Sequence, residues 1–272
     1  MNAKASERHP PEQFEKGIER LLSVQRPLVL AHVRSIRRRH PDASPEKVIR
    51  ILERRYIAAV TSGGAAVGAS AVIPGVGVGI SLALSTAETA GFLETSALYA
   101  QSVTEVHGIA VNDPDRARTL VMAMMLGTGG SDLVRQLAAQ VTGAGPSRTG
   151  FWGDIVTKNL PKAAVGQVAD RLKHVFVRRF VTGHGTSILG RAIPFGIGAV
   201  IGGTGNHILG RRVVSSSRQA FGPPPVGFPL ELEPRATADG PSLPLVVLRR
   251  RMQFRSRSGS DSQAPQPEAR QP

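Results

Sequence analysis

Tyr56–Ala87 reads YIAAVTSGGAAVGASAVIPGVGVGISLALSTA and contains no Asp, Glu, Lys or Arg. Arg54-Arg55 precede it and Glu88 follows it. Gly64 and Gly68 are four apart, and so are Gly75 and Gly79. On a helix that spacing puts small residues on one face, where a second backbone can come close, in a bilayer or in tight soluble packing. Pro74-Gly75 near the middle predicts a tight turn between two helical arms. Each arm is short against the ~20 apolar residues that a ~30 Å hydrocarbon core requires. A shallow or re-entrant hairpin fits better than two full spans, and a buried helix pair inside a soluble bundle is the other reading.

A second stretch shares this character. Ala192–Gly210 carries no formal charge and lies between Arg191 and Arg211-Arg212. Gly198, Gly202, Asn206 and Gly210 recur every four residues, which again makes a small-residue stripe. Ile193-Pro194 echoes Ile73-Pro74, but the glycines that follow are out of register, so the echo is compositional and not a repeat. The flanking arginines Arg54, Arg55, Arg191, Arg211 and Arg212 suit anionic headgroups, at ~1 kcal/mol each near a charged surface. They would serve equally as a solvated rim.

Outward from these two stretches the pattern is helical. In residues 11–40, Phe14, Ile18, Leu21 and Leu22 make one apolar face, and Pro27 is expected to break or kink the helix. Arg34, Arg37, Arg38 and Arg39 then form a cationic cluster, suited to a helix C-terminus or to a partner. Ser44 is a good N-cap with Pro45 at the first helical position. Ala87–Val106 stays helical but gains Glu88, Glu94 and Glu105. Glu88 and Glu94 stand beside an apolar segment and are candidate buried acids, with arginines of residues 171–191 as the expected partners. His107 is expected to pack or cap where Gly108 ends the helix. Asp113 reads as the next cap, followed by a run with Met122, Met124 and Met125 as core filler. Gly127–Ser131 is expected to be a loop, and Trp152–Val181 a basic helical region interrupted at Pro161 and Gly166. Residues 223–272 are rich in Pro, Ser and Gln, with a basic knot from Arg249 to Arg257, and are expected to be disordered.

These readings predict an all-α fold, a multi-helix bundle around two glycine-rich hairpin-like segments. Its parts are an N-terminal helical segment (1–44), a main helical domain (45–222) and a disordered tail (223–272). The chain has 272 residues, a net charge of +14, no Cys and 4% aromatics. The absence of Cys excludes a disulfide scaffold, a Cys-ligated zinc, an iron–sulfur cluster and a thiol nucleophile. Few aromatics argue against stacking platforms for single-stranded nucleic acid. Residues 1–55 and 146–222 are basic and residues 56–145 acidic, a layout that suggests an anionic partner. The first 25 residues have no apolar signal region, so the expected location is cytoplasmic.

No catalytic motif is present. Gly202-Gly203-Thr204-Gly205-Asn206 imitates a dinucleotide-binding turn but has Ile208 where the third glycine belongs. No His-Glu-x-x-His or Gly-x-Ser-x-Gly occurs, and no cofactor is expected.

Several of these residues together resemble a known family. They are Ile73-Pro74-Gly75, the acidic helix after it, Val106-His107-Gly108, Asp113-Pro114, Ile193-Pro194, Gly198, Gly202, Asn206 and Arg218-Gln219-Ala220-Phe221. Over about residues 45–222 the chain is similar to the EcsC-like family of bacterial proteins, in an actinobacterial style. The resemblance implies a helical, membrane-associated protein of unresolved biochemistry, with a membrane protein or transporter component as a possible partner, and it supplies no catalytic residues. The leading expectation is a non-enzymatic protein at the inner face of the cell membrane, held to anionic lipid. The alternatives are a basic nucleic-acid-binding protein that uses the 34–39 cluster, and an enzyme without a recognisable motif.

Overall fold

The helices begin where the local chemistry favours them. The computed structural model describes residues 12–70, 78–143, 151–185 and 197–234. Every long regular element among them is helical, so the fold is all-α. Helix α1 (Glu12–Leu22) buries Ile18 and Leu22. The chain breaks at residues 23–25, and α2 (Arg26–Arg39) carries Pro27 in its first turn, where a missing N–H costs nothing. The helix is therefore broken here, as expected, and Pro27 lies in the first turn of the second helix. Helix α3 (Pro45–Ser70) opens on Ser44, whose Oγ accepts the Lys47 N–H at 3.3 Å.

Helix α4 (Val78–Val106) ends before Gly108, which has φ +74°. Asp113 caps α5 (Pro114–Leu126) by accepting from the Asp115 and Arg116 N–H groups. Only Gly127, at φ +67°, separates α5 from α6 (Thr128–Thr142). The expected loop at 127–131 is thus a one-residue joint, with Gly129 and Gly130 inside the next helix. A Cβ at Gly130 would collide with the Ala123 backbone, so glycine here permits the close turn.

A short turn, α7 (Trp152–Asp154), runs into a π-helical turn at Ile155–Asn159. The Arg116 guanidinium donates to the Val156 and Leu160 carbonyls at 2.6 and 2.7 Å, satisfying acceptors that this irregular end leaves open. Pro161 does interrupt the chain before α8 (Lys162–Gly185), but Gly166 does not. Gly166 is exposed within α8 with open space around it, where a helix tolerates glycine at about 1 kcal/mol. The last long helix is α9 (Ile197–Phe221).

Helices α3, α4 and α9 form the central group. Val60 and Gly64 meet Asn206 and Gly202, while Glu53 meets Arg218, so α3 and α9 are antiparallel. Glu88 meets Asn206 and Tyr99 meets Ser217, so α4 and α9 are parallel. Helices α5, α6 and α8 pack together, and α1 and α2 pack on α4. Leu52, Leu93, Leu120, Met124, Trp152 and Leu172 are among the fully buried side chains of one continuous core.

Residues 223–234 depart from the expected disorder. They run across α2 and include a 3-10 turn at Leu230–Leu232. Leu232 is fully buried, and Arg37 lies 4.0 Å from the centre of the Phe228 ring. Arg34 and Arg37 donate to the Glu231 and Leu232 carbonyls. The proline-rich composition suggested a tail, but one buried leucine and two arginine clamps fix its first part. The rest of that tail, 235–272, lies outside the described residues.

The close approach of α3 and α9 yields a test. A Cβ at Gly64 would sit 2.5 Å from the Gly202 carbonyl oxygen, whereas one at Gly63 meets nothing within 4 Å. Gly64→Ala is expected to destabilise by about 1–3 kcal/mol through forced separation of α3 and α9. Gly63→Ala is expected to stabilise by up to ~1 kcal/mol from helix propensity alone. Urea unfolding of the two variants checks the pair.

Candidate functional site

The two glycine-rich stretches come together at one end of the central helices. Gly64 lies against Gly202, and a Cβ on Gly202 would clash with the Gly64 carbonyl. Gly68 is within reach of Gly202, and Gly210 accommodates Tyr56, Ile57 and Val60. The stripes therefore serve a crossing between α3 and α9. Gly79 and Gly198 lie within α4 and α9 near the same end. Pro74, Gly75, Arg191 and Pro194 lie outside the described residues.

Asn206 binds this crossing to α4. Its Nδ2 donates to the Val60 carbonyl and to Glu88 Oε1, both at 3.0 Å. Both partners are acceptors, so only the amide NH2 can face them. The vacant Cβ position of Gly64 is what leaves room, since a methyl there would be 2.7 Å from Nδ2. One donor to Glu88 is thus an amide; of the arginines of 171–191 expected beside it, Arg191 lies outside the described residues. Glu94, expected as a buried acid, is exposed. It lies six residues beyond Glu88, about 240° round the helix, so the two cannot share a face.

Among the described residues the buried acids are Glu53 and Glu105, each under 9% exposed. Arg218 binds Glu53 through two N–H···O contacts of 2.7 and 2.6 Å, and Arg26 binds Glu105 at 2.6 and 3.0 Å. These hydrogen bonds hold both guanidiniums above their ordinary pKa. Above Glu53, Tyr56 and Tyr99 stack at 4.6 Å, and their hydroxyls pair with Ser96 and Ser217 at 2.8 Å. Burial raises both phenols, so they stay neutral at ordinary pH. Glu53 was legible in principle: it falls in helical register with Ile49, Tyr56 and Val60, all buried.

The cations sort into two kinds. Arg34 and Arg37 are committed to residues 231–233, which takes them from the cationic cluster considered for nucleic acid. Arg54, Arg211 and Arg212 are exposed, and neither Arg211 nor Arg212 pairs with an acid among the described residues. Arg55 is lowered by burial and by Arg39. These residues stand where the uncharged parts of α3 and α9 begin, about 20 Å of helix from the ends at Ser70 and Ile197.

Between α3 and α9 the surface opens into a groove of about 650 Å³. Arg54, Arg211 and the Glu53–Arg218 pair line one end. Thr61, Ser62, Ala65 and His207 line the other, with Ile57 and Ala58 between. His207 Nδ1 and Thr61 Oγ1 are 3.3 Å apart across it. Gly202–Asn206, which imitated a phosphate-binding turn, is mid-helix and presents no amide N–H cradle. Among the described residues, no three His, Asp or Glu side chains could share a metal ion, and no helix is long and apolar enough to cross a membrane. Compared with protein-family models, curated proteins and solved structures, the chain matches none.

Two histidines make stability pH-dependent. Burial lowers His107, stacked on Phe221 at 5.0 Å, to about 4. Burial, with Arg55 and Arg39 beside it, lowers His32 to about 4. Both are neutral in the fold, whereas the unfolded chain takes up the proton near its ordinary value of 6.5. Their contribution is complete above that value and is lost as the pH falls from 6.5 toward 4. The urea midpoint is expected to be lower at pH 5 than at pH 7, and the drop to shrink when both are replaced by Gln. Equal drops in the two proteins would count against this assignment.

Proposed function

We propose that this chain is a non-enzymatic, membrane-associated helical protein of the EcsC-like kind, acting at the cytoplasmic face of a membrane. The observation that carries this reading is the uncharged end of the bundle. Three helices bring stretches without Asp, Glu, Lys or Arg to one place, namely 57–70, 78–87 and 197–210. The exposed residues there include Ala58, Ala59, Ala66, Ala69, Ala83 and Ile208. An ordinary water-facing helix end carries charge, and this one carries none over about 20 Å of α3 and α9 and about 15 Å of α4, where the half-buried Glu88 is met by Asn206. Arg54, Arg55, Arg211 and Arg212 follow directly below it, at the depth where anionic headgroups would lie if the end dipped into one leaflet.

Because each arm is too short and too small-sided to span, the end is expected to sit shallowly, with its polar backbone satisfied inside the helices. The partner is then the lipid surface itself, and a membrane protein or transporter component beside it is compatible with the same placement.

The test is co-flotation of the full chain with vesicles of phosphatidylglycerol and phosphatidylethanolamine, washed in turn with high salt, alkaline carbonate and detergent. Binding that survives salt is expected, since the uncharged end adds an apolar contact that salt does not screen. Arg→Gln at positions 54, 55, 211 and 212 is expected to weaken binding by about fivefold per charge. A protein that stays unbound at every vesicle composition would defeat the proposal. Tight, strongly salt-dependent binding to duplex DNA instead would favour the nucleic-acid alternative.

A further inference from the structure

The groove between α3 and α9 has a direction. Its cationic end holds Arg54, Arg211 and Arg218, and its uncharged end holds Thr61, Ser62 and Ala65. From Glu53 to Ala65 this is about 18 Å along α3. A phospholipid in one leaflet has the same order of parts: phosphate at the surface, hydrocarbon inward. In the orientation proposed above, the arginine end of the groove faces the headgroup layer and the Ala65 end faces the bilayer interior.

We infer that the groove holds one anionic phospholipid, with its phosphate between Arg54 and Arg211 and one acyl chain along Ile57, Ala58 and Ala65. This inference rests on the membrane reading for its orientation, and it goes further by assigning a single saturable site.

Three observations converge on that occupant. First, the charges differ in availability. Arg218 is engaged by Glu53, while among the described residues neither Arg211 nor Arg54 pairs with an acid, Arg54 donating to the Arg50 carbonyl at 3.4 Å. The free positive charge at this end is complementary to a phosphate, and two guanidiniums can share its oxygens. Second, the wall beyond the arginines is Ile57, Ala58 and Ala65 with Thr61, Ser62 and His207, and these polar groups already bond within the bundle, Thr61 with His207 and Ser62 with the Ala59 carbonyl, so a flexible chain meets no unmet hydrogen-bond demand from them. Third, the volume, about 650 Å³, is that of a small-molecule site and not of a macromolecular groove.

The closing experiment titrates the full chain with a short-chain phosphatidylglycerol held below its micelle concentration, read by calorimetry. Phosphatidylcholine of the same chain length and glycerol phosphate are the control ligands. Saturable one-to-one binding of phosphatidylglycerol is expected, with both controls weaker by about tenfold or more. The double variant R54Q/R211Q is expected to lose a similar factor. Ser62→Trp and Ser215→Trp, both exposed and lining the groove, fill it without changing charge and are expected to abolish the titration, while Ser215→Trp, outside the uncharged stretches, leaves vesicle flotation in place.

Equal binding of phosphatidylcholine, which has the same phosphate but no net charge, would overturn the preference for an anionic lipid, an unchanged titration of R54Q/R211Q would overturn the phosphate contact, and equal binding of glycerol phosphate would overturn the acyl contact. Unchanged titration of both Trp variants, each with native circular dichroism, would remove the groove from the account. Flotation without stoichiometric binding sinks this inference alone, and stoichiometric binding without flotation sinks the surface reading alone.

Discussion

The crossing of α3 and α9 at Gly64 and Gly202 sets the terms for everything near it. Two helix backbones meet there at a distance that a single methyl group would deny. The contact has little apolar area to contribute, since neither residue has a side chain. What it allows is a polar clasp: Asn206 reaches both the Val60 carbonyl on α3 and the Glu88 carboxylate on α4. A half-buried carboxylate in an otherwise uncharged region is costly unless a donor meets it, and the amide is such a donor. Packing and hydrogen bonding are thus one constraint, because the missing side chain at position 64 is what makes the amide fit.

Below this clasp the same three helices are joined by stronger means. The Tyr56–Tyr99 stack, the two serine hydroxyls and the Glu53–Arg218 pair follow one another down the interface. Among the described residues, close backbone contact and the Asn206 amide join the helices toward one end, and aromatic area and charge-assisted hydrogen bonds join them toward the other. The end with the backbone contact is also the one whose helices carry the uncharged stretches. This gradient gives the bundle an orientation with respect to any interface it meets.

Much of this was legible in the sequence, for reasons that differ by residue. Ser44 and Asp113 announce their caps because local hydrogen bonding decides a helix start. The four-residue spacing of Gly64 and Gly68, and of Gly198, Gly202, Asn206 and Gly210, announced a close helix contact. It could not say which helix met which: the expectation of a hairpin within residues 57–87 left open the pairing of the two stripes across 146 positions. Glycines in series misled in the other direction at 127–131 and 166, where neighbouring helix formers absorb them. Residues 223–234 read as disordered from composition because Leu232 and the arginines that clamp the strap are far apart in the chain. Glu88 was recognised as a special acid, but its amide partner is defined by three-dimensional proximity alone.

The long separations have a consequence for how the chain is made. Val60 emerges from the ribosome 146 residues before Asn206, which at typical synthesis rates is roughly 10–30 s. Throughout that interval the glycine face of α3 lacks the helix it is shaped to meet. Arg34 waits longer still, since its carbonyl partner lies 197 residues on. Closure of the bundle is therefore a late event in biosynthesis, governed by non-local contacts that form slowly. The nascent chain must pass this interval with an uncharged helical surface uncovered, which makes the arrival of α9 the step that decides between assembly and aggregation.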